Sequence, residues 1–218
     1  MRILDISPPV HPDAPVWPGD TPYALQPKWQ HAAGDAVAVG TVTTTTHIGA
    51  HIDAPAHIVA GAATVEATPL AACIGLCLVV DVGSWVDRGT SPHTPAPCAA
   101  IVTRIRALVG EQRVARVLLR HARTAEQRWD DDMPGIDPEF LRWFASQGGV
   151  LCGIDLASFD HATSKELLAH HAGIANGVVL LEGLDLTAAP EGVAELIALP
   201  LPWRGADAAP VRAVLRWE

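Results

Sequence analysis

Eleven residues at positions 47–57, with the sequence HIGAHIDAPAH, constrain the fold of this chain more than any other stretch. Three histidines and one aspartate, His47, His51, Asp53 and His57, occur there among small and apolar residues. Neutral imidazole and carboxylate oxygen are the ligands that zinc and neighbouring first-row metals prefer. The spacing therefore predicts a metal-binding loop. The alternative is three histidines with ordinary partners beside a core strand, and the density of the four groups argues against it.

The geometry of this stretch argues against both a single strand and a single helix. A straight strand through all eleven residues would span roughly 33 Å, which is far too long for one metal centre. Gly49 weakens a helix and Pro55 ends one. The β-branched run TVTTTT predicts that the chain arrives as a strand over residues 38–46. We therefore expect the strand to break near Gly49, with His51 and Asp53 pointing the same way from a locally extended segment.

A complete site needs ligands from elsewhere, because one short loop seldom closes a metal shell and a catalytic metal keeps a position open for water. Glu182 lies in the apolar run VVLLEGLDL, a predicted strand, where a bare buried carboxylate would be very costly. The alternative is a partly exposed strand end with Glu182 facing water. His170 and His171 lie near the end of a predicted helix, and the residues alone do not choose between them.

The composition bounds the class of protein. A chain of 218 residues, with 49% hydrophobic and 18% charged residues, suits one soluble globular domain over residues 1–218. The net charge of −9 argues against nucleic-acid partners and anionic membrane surfaces. No signal peptide and no apolar run of membrane-spanning length are found. We therefore expect a cytoplasmic protein with reduced cysteines, and Cys73 and Cys77 in a buried strand rather than at a metal.

The periodicity of the chain predicts strands first and then alternating helices and strands, which is typical of a mixed α/β fold. Strands are predicted at residues 3–7, 38–46, 76–82, 116–121, 150–154, 178–186 and 211–217. Helices are predicted at 99–109, at about 137–147 with Asp137 as N-cap, from Thr163 or Ser164, and near Val193. Residues 85–97 and 123–134 are predicted loops.

Seven prolines within residues 8–27 exclude a helix there and predict an extended arm or loop. Trp17 lies at a Trp-Pro-Gly-Asp turn within this arm. An aromatic side chain held by such a loop can line a pocket and stack on a flat substrate, or it can simply cover the core. The residues alone leave both interpretations open.

Together these motifs resemble those of bacterial kynurenine formamidases (arylformamidases), within the wider family of metal-dependent cyclases. The resemblance runs over nearly all of the chain. Its segments are WPGD, HIGAHIDAPAH, GIDLASFD from Gly153, SKELLAHH from Ser164, LEGLDL from Leu181 and GADAAPVRAVL near the end. The metal loop alone indicates only the wider family, whereas LEGLDL, the closing segment and Trp17 lean toward the formamidases. Ala50 and Leu168 replace the usual Thr and Pro, and neither change removes a ligand.

The resemblance implies a swivelling β/β/α fold with a mixed central sheet flanked by helices, and a homodimer. It also implies a centre of two metals per subunit, usually Zn²⁺, with Mn²⁺ or another divalent metal as alternatives. The ligand histidine of the family precedes the glutamate by twelve residues, which selects His170. The implied ligands are His47, His51 and Asp53 for one metal, and Asp53 (as a bridge), His170 and Glu182 for the other.

The implied activity is hydrolysis of N-formyl-L-kynurenine to L-kynurenine and formate by a metal-activated water. His57 would donate and accept protons beside the metals, and Trp17 would face the aromatic ring of the substrate. Two alternatives stay open. One is another hydrolase of the wider family, for example one that opens the cyclic amide isatin. The other is a non-catalytic metal- or small-molecule-binding protein on the same fold.

Overall fold

A computed structural model describes residues 1–121 and 129–218. Its strands are β1 (Arg2–Asp5), β2 (Ala24–Trp29), β3 (Val39–Thr43), β4 (His51–Asp53), β5 (Ile74–Asp81), β6 (Arg116–Arg120), β7 (Leu151–Ile154), β8 (Val179–Glu182), β9 (Gly192–Ile197), β10 (Ala208–Pro210) and β11 (Val214–Trp217). Its helices are α1 (Cys98–Val109), α2 (Pro138–Ser146) and α3 (Leu168–Ala175). Within the described residues, nine strands form one sheet in the order β1-β11-β9-β5-β6-β7-β8-β4-β10, and β2 pairs with β3.

The centre of the large sheet is parallel. β5 pairs with β6, β6 with β7 and β7 with β8 in parallel, whereas β9 and β4 extend the sheet antiparallel on either side. The prediction of a central strand at residues 76–82 is confirmed by β5, in which Leu78, Val79 and Val80 are all buried. A strand buried on both faces reads as a continuous apolar run, as this one does.

The three helices cover one face of the sheet. The other face is buried because the sheet curls and its distant strands pack against each other. Ile101 of α1, Phe140 of α2 and Ala169 of α3 belong to one buried cluster with the central strands. A second cluster holds Ile52 of β4 together with Leu215 of β11, although these strands are second and eighth in the sheet order. The sheet must therefore curl. The predicted α/β fold, with a mixed sheet flanked by helices, is confirmed.

The first two helices agree with their predictions. α2 begins with Pro138, and the Asp137 carboxylate accepts the Glu139 amide at 2.9 Å, which confirms the predicted N-cap. The other Asp137 oxygen accepts the Cys98 amide at 2.9 Å, at the first residue of α1. One carboxylate therefore fixes the start of both helices relative to each other.

The prediction of a helix near Val193 is wrong. This segment is the strand β9, which lies between β5 and β11. Ala194 and Leu196 are buried while Val193 and Glu195 are not, an alternation that suits a strand. Pairing with β5 along the sheet outweighs the weak helical preference of a short Ala- and Glu-containing segment.

The helix predicted from Thr163 or Ser164 begins later, at Leu168. Leu167 has a φ of 46°, a left-handed conformation that cannot continue a right-handed helix. The Ser164 hydroxyl accepts the Leu167 amide at 3.2 Å and closes a turn instead. The predicted strand at residues 178–186 likewise ends early, at Glu182, because Gly183 turns the chain with a φ of 67°.

The remaining expectations concern the arm, the loops and the thiols. Part of the arm predicted at residues 8–27 enters β2, and residues 122–128 of the loop region lie outside the described residues. No described helix is long and apolar enough to cross a membrane. Cys73 and Cys77 are free and buried, and burial raises the pKa of their thiols to about 11 and about 12. Both pack in the second buried cluster, but only Cys77 lies in the predicted strand, since Cys73 precedes β5.

Candidate metal centre

Strand β4 positions two of the predicted ligands beside a third. His51 is the direct cross-strand partner of Glu182 in the antiparallel β4–β8 ladder. Asp53 follows two residues later and therefore points to the same face of β4 as His51. His51 Nε2 is 3.2 Å from Glu182 Oε2 and 3.5 Å from Asp53 Oδ1. A single strand pairing thus joins the early loop to the late glutamate.

The helix α3 brings His170 to the same place. Its Nε2 atom is 3.3 Å from Asp53 Oδ2 and 3.2 Å from Glu182 Oε1. His170 is buried, whereas its neighbour His171 is exposed. The structure therefore brings His170 to the centre and leaves His171 outside it, although the residues alone could not separate the two.

The loop around Gly49 brings in His47, and the short 3-10 turn Pro55–His57 brings in His57. Gly49 has a φ of 59°, which breaks the chain where the sequence predicted. His47 Nδ1 lies 3.0 Å from Asp53 Oδ1. The rings of His47 and His57 have their centroids 4.3 Å apart. The six predicted polar residues therefore gather in one cluster: His47, His51, Asp53, His57, His170 and Glu182.

Each predicted ligand histidine is anchored through one of its ring nitrogens. Nδ1 of His51 is 2.9 Å from the Gly49 carbonyl oxygen. Nδ1 of His170 and Nε2 of His47 contact carboxylates, those of Asp160 at 2.6 Å and Asp207 at 3.0 Å. Carbonyl and carboxylate oxygens only accept hydrogen bonds, so these nitrogens are the donors. In a neutral imidazole the other nitrogen then carries a lone pair, and all three lone pairs face carboxylates.

This arrangement is what a metal requires and what hydrogen bonding alone does not satisfy. Both oxygens of Asp53 and the Nε2 atom of His51 are buried without a hydrogen-bond partner among the described residues. The surrounding histidine nitrogens lie at contact distance but are not aligned as donors to them. Asp53 and Glu182 are also almost fully buried, at 4% and 3% exposure. Buried carboxylates of this kind are paired or coordinate metals, so the donor set fits a divalent cation.

The close approach of carboxylates and histidines also shifts the pKa values of these groups. Burial disfavours a charged imidazole, but the carboxylates of Asp53 and Asp207 outweigh it and raise the pKa of His47 to about 9. Three carboxylates likewise outweigh burial and raise the pKa of His170 to about 12. Burial would raise the pKa of Asp53, but the neighbouring histidines hold it well below its ordinary value. A divalent metal would supply this charge in place of the protons.

Two further carboxylates belong to the centre and were not singled out from the sequence. Asp160 accepts the backbone amides of Ala169 and His170 at 3.0 Å each, so it orients α3 as well as the His170 ring. Asp207 contacts His47 Nε2 and, at 3.4 Å, His57 Nδ1. The only sign of these residues in the sequence was that they belong to motifs of the resemblance. Asp160 lies in GIDLASFD, near α3, and Asp207 lies in GADAAPVRAVL, at the start of β10. Such partners fix the tautomer and orientation of ligand histidines.

A cavity of about 1160 Å³ opens onto this centre. His57, His170, Glu182 and Trp17 are among the residues that line it. The Trp17 ring meets that of Trp129 edge to face, with centroids 5.0 Å apart and planes at 77°. The structure therefore places Trp17 at the cavity, and the two indoles form an aromatic wall suited to a flat ligand.

The family of the chain follows from its relatives. A family model named "Cyclase", described as "Putative cyclase", matches residues 4–161. The chain belongs to the cyclase family. The kynurenine formamidases of Bordetella pertussis and Bordetella bronchiseptica are each 43% identical to it over 216 residues, which cover 99% of this chain and 98% of each relative. The resemblance drawn from the motifs is confirmed along almost the whole chain.

Solved structures share the fold. A potential metal-dependent hydrolase with cyclase activity is 25% identical, with a TM-score of 0.79 over 100% of this chain and 99% of that one. A predicted metal-dependent hydrolase from Bacillus stearothermophilus is also 25% identical, with a TM-score of 0.79 over 98% and 97%. Isatin hydrolase A from Labrenzia aggregata, at 22% identity and a TM-score of 0.77 over 98% and 93%, shows the same fold.

We predict that Gly183→Ala disturbs the centre specifically. A Cβ at Gly183 would lie 2.2 Å from the carbonyl oxygen of Gly49, the group that holds His51 Nδ1. Gly177 has a similar φ of 71° but open space around it, so Gly177→Ala is a matched control that carries only the backbone strain, roughly 1–2 kcal/mol. Metal analysis and thermal unfolding should show metal loss and a larger drop in Tm for Gly183→Ala alone. Equal effects of the two variants would contradict this account.

Proposed function

We propose that the protein hydrolyses N-formyl-L-kynurenine to L-kynurenine and formate at a two-metal centre. The observation that carries the proposal is the convergence of three anchored imidazoles on the buried carboxylates of Asp53 and Glu182, beside a cavity with an aromatic wall. The kynurenine formamidases that match nearly the whole chain supply the substrate. Because the donor set is imidazole and carboxylate, Zn²⁺ is the metal we propose, with Mn²⁺ as the alternative.

The two oxygens of Asp53 support its proposed role as a bridge. Oδ1 lies on the side of His47 and His51, at 3.0 and 3.5 Å, whereas Oδ2 lies 3.3 Å from His170. We therefore assign one metal to His47, His51 and Asp53, and the other to Asp53, His170 and Glu182. His57 could compete for the first of these, since ligand atoms of His47, Asp53 and His57 lie within 4.8 Å of one another.

The reaction requires an activated water, a polarised formyl carbonyl and a proton for the departing arylamine. A divalent metal pair supplies the first two when bound, by lowering the pKa of water and by attracting the formyl oxygen. His57 lines the cavity, and its Nδ1 is held near Asp207. We assign His57 the transfer of a proton from the water to the aniline nitrogen as the C–N bond breaks, which releases formate and the free amine. Trp17 would hold the aryl ring.

Turnover of N-formyl-L-kynurenine before and after chelation tests the function. We expect the purified protein to hydrolyse it, to lose at least about 100-fold in rate on metal removal, and to recover with added Zn²⁺. Isatin is the control substrate, since it separates this activity from that of a cyclic amide hydrolase. Metal-bound protein that opens isatin but leaves the formamide intact would refute the substrate, and metal-bound protein without either activity would favour a binding protein.

His57→Ala separates proton transfer from metal binding. We expect kcat to fall by roughly 100- to 10,000-fold, while the metal content per chain stays that of the wild type. His171→Ala is the matched control, because this histidine is exposed on α3 outside the centre. Loss of one metal together with activity would make His57 a ligand instead, and a wild-type rate would remove it from the mechanism.

We also propose that the protein is a homodimer. The separate sheet formed by β2 and β3 exposes large apolar side chains, including the cross-strand partners Leu25 and Val42 at 56% and 54% exposure. Trp29 on the same sheet is half exposed. An apolar surface of this kind marks an interaction site, and a second copy of the chain is the occupant that the family resemblance implies.

Light scattering after gel filtration tests the dimer. We expect a mass of about twice 23.0 kDa for the wild type, and a shift toward one chain when Leu25 and Val42 are both replaced by Lys. Replacement of the exposed Leu201, which lies outside this sheet, by Lys is the control and should leave the mass unchanged. A monomeric wild type would refute the proposal.

We place the enzyme in the cytoplasm. All four cysteines are free, and Cys152 as well as Cys73 and Cys77 is buried. Free thiols in this number are typical of a reducing compartment, which supports the assignment.

A further inference from the structure

The cavity extends from the metal centre along the carboxyl ends of the parallel strands. Asp155 follows β7, His121 follows β6, and Arg88 lies beyond the end of β5, and all three line the cavity. The Arg88 guanidinium donates to the His121 carbonyl at 3.3 Å, so it lies close to the end of β6. β6 is two positions from β8 in the sheet, so the strand that His121 follows lies roughly 10 Å from the strand that ends at Glu182.

Arg88 differs in charge from the rest of the cavity wall. Among the described residues that line the cavity it is the only lysine or arginine, whereas several carboxylates line it. These acidic residues are Asp20, Asp130, Asp155, Glu182 and Asp185. Within residues 1–121 and 129–218 the Arg88 side chain forms its hydrogen bond with a neutral carbonyl and no carboxylate ion pair. Most of its N–H donors therefore remain available to a ligand.

We propose that Arg88 binds the α-carboxylate of the substrate and so makes the enzyme selective for amino-acid-bearing aryl formamides. This inference rests on the proposed function. In N-formyl-L-kynurenine about seven bonds separate the formyl carbon from the carboxylate carbon, or roughly 8 Å when extended. That length is comparable with the spacing between β8, which ends at Glu182, and β6, whose following residue His121 accepts the Arg88 guanidinium. Trp17 and Trp129 line the same cavity, so the aromatic ring of the substrate can pack against them.

The chemistry of the wall supports Arg88 over other partners. The amino-acid end of the substrate is zwitterionic. The acidic residues of the cavity suit its ammonium but would repel its carboxylate, so the carboxylate needs a cationic partner. A guanidinium binds a carboxylate through two parallel hydrogen bonds, which fixes orientation as well as charge. Binding at this end keeps the carboxylate away from the metals, where it would compete with the formyl group. Arg88 thereby directs the formyl end toward His57.

Two substrates and three variants test the proposal. The substrates are N-formyl-L-kynurenine and 2-formamidoacetophenone, which has the same aryl formamide and ketone but no amino-acid group. We expect Arg88→Gln to lower the ratio of their kcat/KM values at least about tenfold, mainly by raising KM for the amino-acid substrate. Arg88→Lys should retain part of the preference. Arg106→Gln, which removes the same charge from the exposed surface of α1, should retain all of it.

The outcomes separate this inference from the proposed function. An unchanged ratio in Arg88→Gln, or equal losses for both substrates, would mean that Arg88 only supports the loop, and would overturn the subsite. Absence of formamide hydrolysis in the wild type would overturn the proposed function. In that case calorimetric binding of L-kynurenine against kynuramine, which lacks the carboxylate, decides the subsite. A preference for L-kynurenine that is lost in Arg88→Gln supports it, and no preference overturns it.

Discussion

The rest of the site depends on the contacts between the buried carboxylate of Asp53 and the histidines around it. Its oxygens have no hydrogen-bond partner among the described residues, yet they lie between histidines from three separate segments. A buried charge left in this state would cost several kcal/mol. The positive φ of Gly49, the β4–β8 pairing and the docking of α3 all bring nitrogen donors to it. The backbone conformation at Gly49 and the packing of β4, β8 and α3 therefore serve to surround this buried charge with nitrogen donors.

The sheet topology explains why this centre can also have a large cavity. β5 to β8 run parallel, so their carboxyl ends meet at one edge, where ligands bind in open α/β sheets. β4 adds antiparallel to β8 and carries His51 and Asp53 to that edge beside Glu182, the last residue of β8. Arg88, His121 and Asp155, which follow β5, β6 and β7, also line the cavity. The sheet holds the metal centre, and the loops next to it line the cavity that receives the substrate.

The parts of this arrangement that sequence could predict are those encoded locally. The loop at residues 47–57 could be predicted from the sequence because four ligand groups, a turn glycine and a helix-ending proline lie together. Asp207 gives no such signal, since it meets His47 and His57 only through the placement of β10 beside β4, about 150 residues along the chain. The helix predicted near Val193 failed for the same reason, because sheet pairing overrode a short local preference. The start of α3 was predicted too early for a different reason. Leu167 adopts a positive φ, which is uncommon for a leucine and which the local sequence does not indicate.

Charge balance links the proposed metal number to the carboxylates that the sequence did not reveal. Asp53 and Glu182 contribute two negative charges at the centre, and Asp160 and Asp207 contribute two more through the histidines that they hold. Neutral imidazoles do not offset these four charges, whereas two divalent cations would do so in full and one would offset only half. Without metal the balance can come only from protons, which is why the pKa values of His47 and His170 rise. Metal binding must therefore release protons from the histidines, and acid and metal must compete for the same nitrogens.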